Sequence, residues 1–419
     1  MSAASPGLGL AALVALSQAA SAWAAIGDRN GDFGVDGSVR TILAATDNYT
    51  APLLFGANNA SDGLGQGIAR LVVGGRPFAW LTYELHEVNT LMLETSAAGV
   101  AGGLGGNVFN SEGAGVPYRL DPLRFPRPKG DGDVTAAAEL DRVNVKLKTP
   151  YLDATLGRQA ITFGKTYFWN PLDVFAAFGA LQLDRDYKSG VDALRIDVPF
   201  SDFSGLTLVG ALGALHGRAS YDRAALLARA YATLAEWDLS LEGGKRQDGY
   251  LVGAAFSGEV ATLELRGEGA QFFNAGAGER ERAFIGVLGA GRHFKNTLYV
   301  QLEQLYNGGA VRHDLVTSFA LVAAGRLQQA SRNVTGAAVS YELVPVLTGS
   351  LAGLFSWDDR SFALQPALAY SAADEVDLVG GALFAFGGRP RLGPADGLEF
   401  SSEFGTYPDL YYVEAKIYF

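Results

Sequence analysis

Polar and apolar side chains alternate residue by residue along many stretches of this chain. Between residues 260 and 272, one parity carries Thr262, Glu264, Arg266 and Glu268, and the other carries Ala261, Leu263, Leu265 and Gly267. Successive side chains of a β-strand point to opposite faces of the sheet. The pattern therefore predicts strands with one charged face and one smooth apolar face. It does not fit helices, whose apolar residues repeat every three to four positions.

The connections between these stretches distinguish two all-β architectures. In a soluble sandwich the apolar faces form a core, whereas in an outer-membrane barrel they contact lipid and the polar faces line a lumen. Short turns and longer connections alternate along this chain, as they do at the opposite ends of one barrel. We therefore expect an all-β fold, a transmembrane antiparallel up-and-down β-barrel of about 18 strands, although about 16 would also fit. The predicted strands are 34–44, 66–74, 78–88, 138–148, 151–163, 188–199, 204–215, 223–233, 236–246, 249–257, 259–272, 282–293, 296–306, 332–343, 345–357, 361–371, 375–387 and 409–419.

The first 25 residues have the features of a cleaved secretory signal peptide. They contain no charged side chain, an apolar core from Leu8 to Leu16, and a small-x-small cleavage pattern at Ala22-Trp23-Ala24. The apolar run is shorter than the roughly 20 residues that a helix needs to cross a bilayer. We expect a signal peptide at 1–24 and a single barrel domain at 25–419.

The composition excludes several classes of protein. The chain has no Cys and a formal net charge of −11. Zinc fingers, iron–sulfur proteins and disulfide scaffolds all need thiols, and an acidic chain repels a nucleic-acid backbone. We therefore expect no cofactor, no metal and no nucleic acid.

Two weaker motifs concern catalysis and calcium. The four histidines, His86, His216, His293 and His313, accompany no G-x-S-x-G or H-E-x-x-H run, so we expect no enzyme. The segment from Asp28 to Asp32 has the oxygen spacing that opens a calcium loop, but the closing carboxylate is replaced by Val39. A polar entry to the first strand is the favoured interpretation.

The last predicted strand ends in an aromatic residue. Phe419 shares its face with Ile417, Ala415, Val413 and Tyr411. This strand looks like the C-terminal signal that the barrel assembly machinery reads in Gram-negative bacteria, so we expect that machinery and outer-membrane lipid as partners. Five aromatic residues near strand ends are candidates for the interfacial girdles: Tyr231, Trp237, Tyr299, Trp357 and Tyr411.

The charged parity of the strands predicts the lumen. The main candidates for lumen-lining residues are Glu84, Arg142, Lys146, Glu264, Arg266, Glu268 and Glu303. Basic and acidic residues are nearly equal in number on this face, so the lumen is of mixed charge. The plainer interpretation is a ladder of paired charges that keeps the wall hydrated, since a charge sets selectivity only at a constriction.

The connection from Gly164 to Tyr187 is the best candidate for an inward loop. It carries an apolar set whose exposure to water would be unfavourable: Phe168, Trp169, Pro171, Phe175 and Phe178. A barrel of about 16 to 18 strands leaves an aqueous channel unless something fills it. The alternative is an extracellular lid or a partner-binding loop.

The same region carries a family resemblance. The residues concerned are Gly157-Arg158-Gln159-Ala160-Ile161, Phe163-Gly164, Trp169-Asn170-Pro171, Asp173-Val174-Phe175, Arg185-Asp186-Tyr187-Lys188 and Gly190-Val191-Asp192-Ala193-Leu194-Arg195. This block resembles one found in porin-like outer-membrane proteins, and it is similar to that of alginate-export-type barrels. The resemblance implies an 18-stranded barrel whose loop after Gly164 approaches the pore. The mixed lumen departs from the basic lumen expected of an alginate exporter, so that substrate is not carried over.

These observations lead to one functional prediction and two alternatives. We expect a porin-like channel for passive or moderately selective diffusion of small polar solutes. The predicted constriction residues are Arg158, Trp169, Asp173, Asp184, Arg185, Asp186, Asp192 and Arg195. The first alternative is a gated conduit for polymer export that works with periplasmic partners. The second is a barrel that encases another protein or acts as an enzyme or adhesin.

Overall fold

The computed structural model describes most of the predicted barrel. The described residues are 26–47, 61–94, 117–120, 123–126, 134–183, 185–215, 218–247, 249–274, 281–393 and 398–419. The predicted signal peptide at 1–24 and the predicted constriction residue Asp184 lie outside them.

Eighteen long antiparallel strands form one closed ring. They are β1 (Gly34–Asp47), β2 (Ser61–Phe78), β3 (Leu81–Glu94), β4 (Val134–Lys148), β5 (Asp153–Gln159), β6 (Val191–Ser201), β7 (Ser204–Leu215), β8 (Arg218–Leu234), β9 (Trp237–Arg246), β10 (Gly249–Val260), β11 (Leu263–Phe273), β12 (Arg282–His293), β13 (Tyr299–Asn307), β14 (Asn333–Val344), β15 (Leu347–Ser356), β16 (Phe362–Ala373), β17 (Val376–Phe386) and β18 (Asp409–Tyr418). Each strand pairs with the next, and β18 pairs with β1 to close the barrel. The predicted architecture and strand number are confirmed, and the errors are confined to strand ends.

The alternation of the sequence becomes the inner and outer faces of this ring. Arg40 and Arg70 point inward and are almost fully buried, whereas Leu241 and Leu288 point outward with 66% and 65% of their surface exposed. A closed ring is the β-structure that satisfies every backbone group in lipid. Trp357 and Tyr411 lie on the exposed outer face, as a girdle requires.

Two of the predicted girdle residues face the other way. The Tyr299 hydroxyl donates to Gln301 in the lumen at 2.7 Å, and Tyr231 lies beneath Arg229 on the inner face. The girdle assignment of these two residues was wrong because a position near a strand end does not determine which face the side chain occupies. Phe78, Trp80 and Phe203 lie exposed at the short turns instead.

The two ends of the barrel have different connections. At the end where β1 begins, the links are short, such as the two residues between β6 and β7 and between β8 and β9. At the other end lie the longer segments 160–190, 308–332 and 387–408; the second contains the helix Leu315–Ala323. Within the described residues, no helix is long and apolar enough to cross a membrane.

The terminal residue Phe419 lies at the closure of the barrel. Its N–H donates to the Gly37 carbonyl at 3.0 Å and its carbonyl accepts from the Gly37 N–H at 2.8 Å. The last residue thereby extends the pairing of β18 with β1. Its role as an assembly signal stays a prediction.

Candidate functional site

The connection between β5 and β6, residues 160–190, folds into the barrel. Its side chains Phe168, Trp169, Leu172 and Phe175 are buried in one cluster with inward-facing wall residues. This confirms the predicted inward loop, and we call residues 160–190 the inner loop. Burying these apolar groups in the lumen removes them from water, which is the driving force that holds the segment inside.

Two wall carboxylates receive the backbone of the inner loop. Glu268 on β11 accepts from the N–H groups of Lys165, of Thr166 at 3.0 Å and of Leu172 at 3.3 Å. Glu303 on β13 accepts from the N–H groups of Tyr167 at 2.5 Å and Phe168 at 2.8 Å. Both carboxylates are buried, at 4% and 0% exposure. They replace water as the acceptors for five loop amides that form no β-ladder.

Glycine residues in the wall make room for the loop side chains. A Cβ atom at Gly253 would lie 2.6 Å from Leu172 Cδ2, and one at Gly336 would lie 2.6 Å from Phe168 Cδ2. Real Cβ atoms do not approach other atoms so closely. The absence of a side chain at these two positions therefore lets the inner loop pack directly against β10 and β14.

Two glutamines attach the tip of the inner loop to the segment 308–332. The Trp169 indole N–H donates to Gln329 Oε1 at 2.8 Å. Asn170 N–H donates to Gln328 Oε1, and Gln328 Nε2 donates back to the Asn170 carbonyl, each at 2.7 Å. The inner loop is thus attached both to the barrel wall and to a long connection at the end of the barrel opposite the short turns.

The second half of the inner loop contacts side chains of β16 and β18. Gln365 on β16 donates to the Leu181 carbonyl at 3.3 Å, and Lys416 on β18 pairs with Asp186 at 2.7 Å. Lys188 pairs with the buried carboxylate of Asp173. Burial lowers the pKa of Lys188, and the negative charge of Asp173 opposes that shift. These contacts lead the chain back to β6.

The predicted constriction residues fall into two groups. Arg195 and Asp186 keep part of their side chains exposed, 31% and 35% respectively. Of the others that the structure describes, several are held by contacts within the loop and wall. Trp169 is fully buried, and Arg158 forms a bidentate pair with Asp192 at 2.8 and 3.0 Å.

Arg185 serves the inner loop itself. Its guanidinium donates to the carbonyls of Tyr167, Gly179 and Ala180 at 2.9–3.0 Å. Burial lowers its pKa. These contacts assign Arg185 to holding the fold of the loop, and a part in selectivity stays a prediction.

The predicted lumen-lining residues all lie on the inner face, most of them in pairs. Lys146 pairs with Asp153 at 2.8 Å, and Arg142 pairs with Glu84 at 3.4 Å. Arg266 pairs with Glu264 across two positions of β11. A ladder of paired charges therefore describes these residues. Glu268 and Glu303 depart from it, because their partners are the loop amides.

A buried charged cluster was missed by sequence reasoning. Asp141 accepts from Arg70 at 3.0 Å, from Arg119 at 2.8 Å and from the Gly190 N–H at 3.1 Å. Arg119 also pairs with Glu139 at 2.9 Å. Strict alternation from Arg142 would turn Asp141 outward. A bulge, seen as a register shift between His86 and Glu87 in the β3–β4 pairing, turns it inward.

The segment from Asp28 to Asp32 forms a polar entry to the first strand, which is the interpretation favoured from the sequence. Asp28 Oδ1 accepts from the Asn30 N–H at 2.8 Å, and Asp36 pairs with Arg29. Across the described part of the chain, no three His, Asp or Glu side chains are grouped so that they could hold a metal ion.

Glu403, in the connection 387–408, completes the attachment of the loop tip. It accepts from Gln329 Nε2 at 2.7 Å and from the N–H groups of Ala330 and Ser331 at 2.8 Å each. Burial raises the pKa of Glu403 to about 7, with a further contribution from the charge of Asp359, while the hydrogen bonds oppose the shift. Gln329 therefore connects Glu403 to Trp169.

The pKa of Glu403 leads to a pH-dependent prediction. Because its pKa is about 7 in the folded protein and 4.5 in the ordinary group, the stabilisation is full below pH 4.5 and is lost as pH rises through 7. The free energy of unfolding, relative to E403Q, should fall by about 3 kcal/mol between pH 4.5 and pH 8. Thermal unfolding of both proteins across this range measures it. E399Q, at an exposed site, should show no such trend, and a pH-independent difference for E403Q would contradict the prediction.

Comparison with known proteins supports the fold. No family model matches the chain, and no curated protein matches it. Solved structures do. OccK9 (OpdG) of Pseudomonas aeruginosa has a TM-score of 0.57 at 13% identity, covering 93% of this chain and 99% of that chain. OccAB2 of Acinetobacter baumannii has a TM-score of 0.55 at 10% identity, with 94% and 99% covered. The outer membrane protein opdK of Pseudomonas aeruginosa has a TM-score of 0.53 at 12% identity, with 93% and 98% covered.

These similarities extend over almost the whole of each chain, at identities too low to carry a substrate from one protein to another. They agree with the closed ring of β1–β18. The chain therefore has the fold of the Occ and OprD porin-like outer-membrane barrels.

Proposed function

We propose that this protein is a porin-like channel of the Gram-negative outer membrane. Small polar solutes diffuse, passively or with moderate selectivity, through a mixed-charge lumen that the inner loop narrows. The similarity to Occ and OprD barrels supports this function over polymer export. Outer-membrane lipid surrounds the barrel, and the assembly machinery inserts it after residues 1–24 are removed.

One observation carries the proposal. The inner loop is held in the lumen by wall carboxylates, while ion-paired side chains such as Arg195 with Asp197 and Lys146 with Asp153 remain partly exposed on the inner face. A narrowed passage with charged, hydrated walls favours small polar solutes. A protein-filled or catalytic barrel has no comparable support in these contacts.

The direct test is single-channel recording of the mature chain in a planar bilayer with a salt gradient. Steady current steps with a measurable reversal potential are expected. A correctly folded but silent barrel would contradict diffusion. It would favour the second hypothesis, a gated polymer conduit with periplasmic partners, to which the alginate-export resemblance belongs.

Arg195 provides a prediction about selectivity. Its guanidinium pairs with Asp197 at 2.8 Å and its side chain is 31% exposed. Arg195→Glu places two carboxylates side by side and should raise the cation-to-anion permeability ratio about two- to five-fold. The ratio follows from the reversal potential. Arg391→Glu makes the same change of charge at a residue with 72% exposure outside the barrel strands, and it should leave the ratio unchanged. An unchanged ratio in Arg195→Glu would remove this residue from the pore.

A further inference from the structure

One histidine lies at the end of the lumen where the short turns are. His293 is the last residue of β12, and it shares the inward parity of Ile285 and Val287, which are 8% and 1% exposed. The side chain of His293 is itself 68% exposed. It is therefore in contact with the solution at the short-turn mouth of the barrel.

The other described histidines lie elsewhere. His86 faces the lumen but is buried, at 2% exposure. His313 lies in the segment 308–332, at the opposite end of the barrel. Histidine is the side chain whose charge usually changes between about pH 5 and 8. Among the residues that the structure describes, His293 is therefore the histidine that can exchange a proton with the solution at the short-turn mouth.

The ring of His293 has a defined position. It stacks on the ring of Tyr299, its partner in the β12–β13 pairing, with 4.1 Å between the ring centroids and 24° between the planes. The Tyr299 hydroxyl donates to Gln301 Oε1 at 2.7 Å and accepts from Arg266 at 3.3 Å. A Cβ atom at Gly291 would lie 2.9 Å from that hydroxyl oxygen, so the glycine leaves room for it. These contacts fix the surface on which the imidazole lies.

Charged groups of both signs lie around this ring. His293 Nε2 is 3.6 Å from Glu264 Oε1, and the other carboxylate oxygen of Glu264 pairs with Arg266 at 2.5 Å. Glu259 is exposed and lies directly opposite Glu264 in the β10–β11 pairing. Lys295 lies in the turn after β12. Protonation of His293 would therefore place a positive charge beside a carboxylate that Arg266 already pairs with from its other side.

We propose that His293 determines the ion selectivity of the short-turn mouth, and that its protonation shifts the channel toward anions. The inference rests on the proposed channel function. With a neutral imidazole, Glu264 and Glu259 present negative charge to the lumen. With an imidazolium, Glu264 is shared by two cations, and the stacked Tyr299 ring stabilises the added charge. A charge at the mouth of a pore changes the local concentration of permeant ions.

The reversal potential of single channels under a salt gradient tests this role at about pH 8 and about pH 6. In the wild-type protein, the cation-to-anion permeability ratio should fall about two- to three-fold at the lower pH. H293Q cannot gain the charge, and it should keep the high ratio at both pH values. H293K carries the charge throughout, and it should have the low ratio already at the higher pH. The carboxylates of the lumen are common to all these proteins, so their titration cancels in the comparison.

H313Q is the matched control, because it removes an exposed histidine at the opposite end of the barrel. It should respond to pH like the wild-type protein. Unheated gel mobility shows that each barrel is folded. A conducting H293Q variant that keeps the pH response, or an H293K variant with the wild-type ratio at the higher pH, would overturn this inference alone. A folded wild-type barrel that carries no current would overturn the proposed function, and the inference with it.

Discussion

The double variant E268A/E303A is expected to conduct about two to five times more current per channel than the wild-type protein. The two carboxylates accept hydrogen bonds from five backbone N–H groups of the inner loop. A hydrogen bond to a charged group contributes about 1.5–3 kcal/mol. Without these acceptors, the amides must find water, and the loop is released from β11 and β13.

The control for this experiment removes the same charge elsewhere in the lumen. E84A/E264A deletes two inner-face carboxylates whose contacts are side chains of the wall, His86 and Arg142 in one case and Arg266 in the other. It should change ion selectivity with little effect on the size of the current step. If both double variants raised conductance equally, charge and not loop anchoring would account for it.

The second large effect is expected in stability. D141A should lower the free energy of unfolding by about 3–5 kcal/mol, because it removes the buried carboxylate that two buried cations, Arg70 and Arg119, share. Asp141 is 0% exposed and holds together β2 through Arg70, the segment 117–120 through Arg119, and the end of the inner loop through the Gly190 N–H.

Urea-induced unfolding in lipid vesicles measures this loss. D153A is the matched control, because it breaks the Lys146–Asp153 pair, in which the two side chains are 34% and 29% exposed. Exposed pairs contribute about 0–1 kcal/mol, so its midpoint should move little. A loss in D141A no larger than in D153A would contradict a structural role for the buried cluster.

The strands of this barrel could be predicted from the sequence because their determinants are local. On β11, the inward parity of Glu264, Arg266 and Glu268 appears as strict alternation over a few neighbouring residues. The apolar set at Phe168 and Trp169 likewise predicted that the inner loop leaves water.

Other features depended on residues far apart in the chain. Alternation assigned Glu268 and Glu303 to the inner face but could not show that they accept loop amides from residues 165–172, about 100 or more positions away. Arg158 was predicted at the constriction, and only the position of Asp192 on β6 shows why it is buried.

The alternation of side chains by itself determined the barrel. Adjacent residues specify the two faces of each strand, and a sheet in lipid must close into a ring because its edges would leave backbone groups without hydrogen bonds. The tertiary structure decided which charges are paired, which hold the inner loop and which remain exposed. A single bulge in the β3–β4 pairing turns Asp141 from the lipid face to the lumen. Such a bulge is a change of register between two strands. The sequence shows only that the polar parity changes between Asp141 and Arg142, and the pairing with β3 is what places both side chains inside the ring.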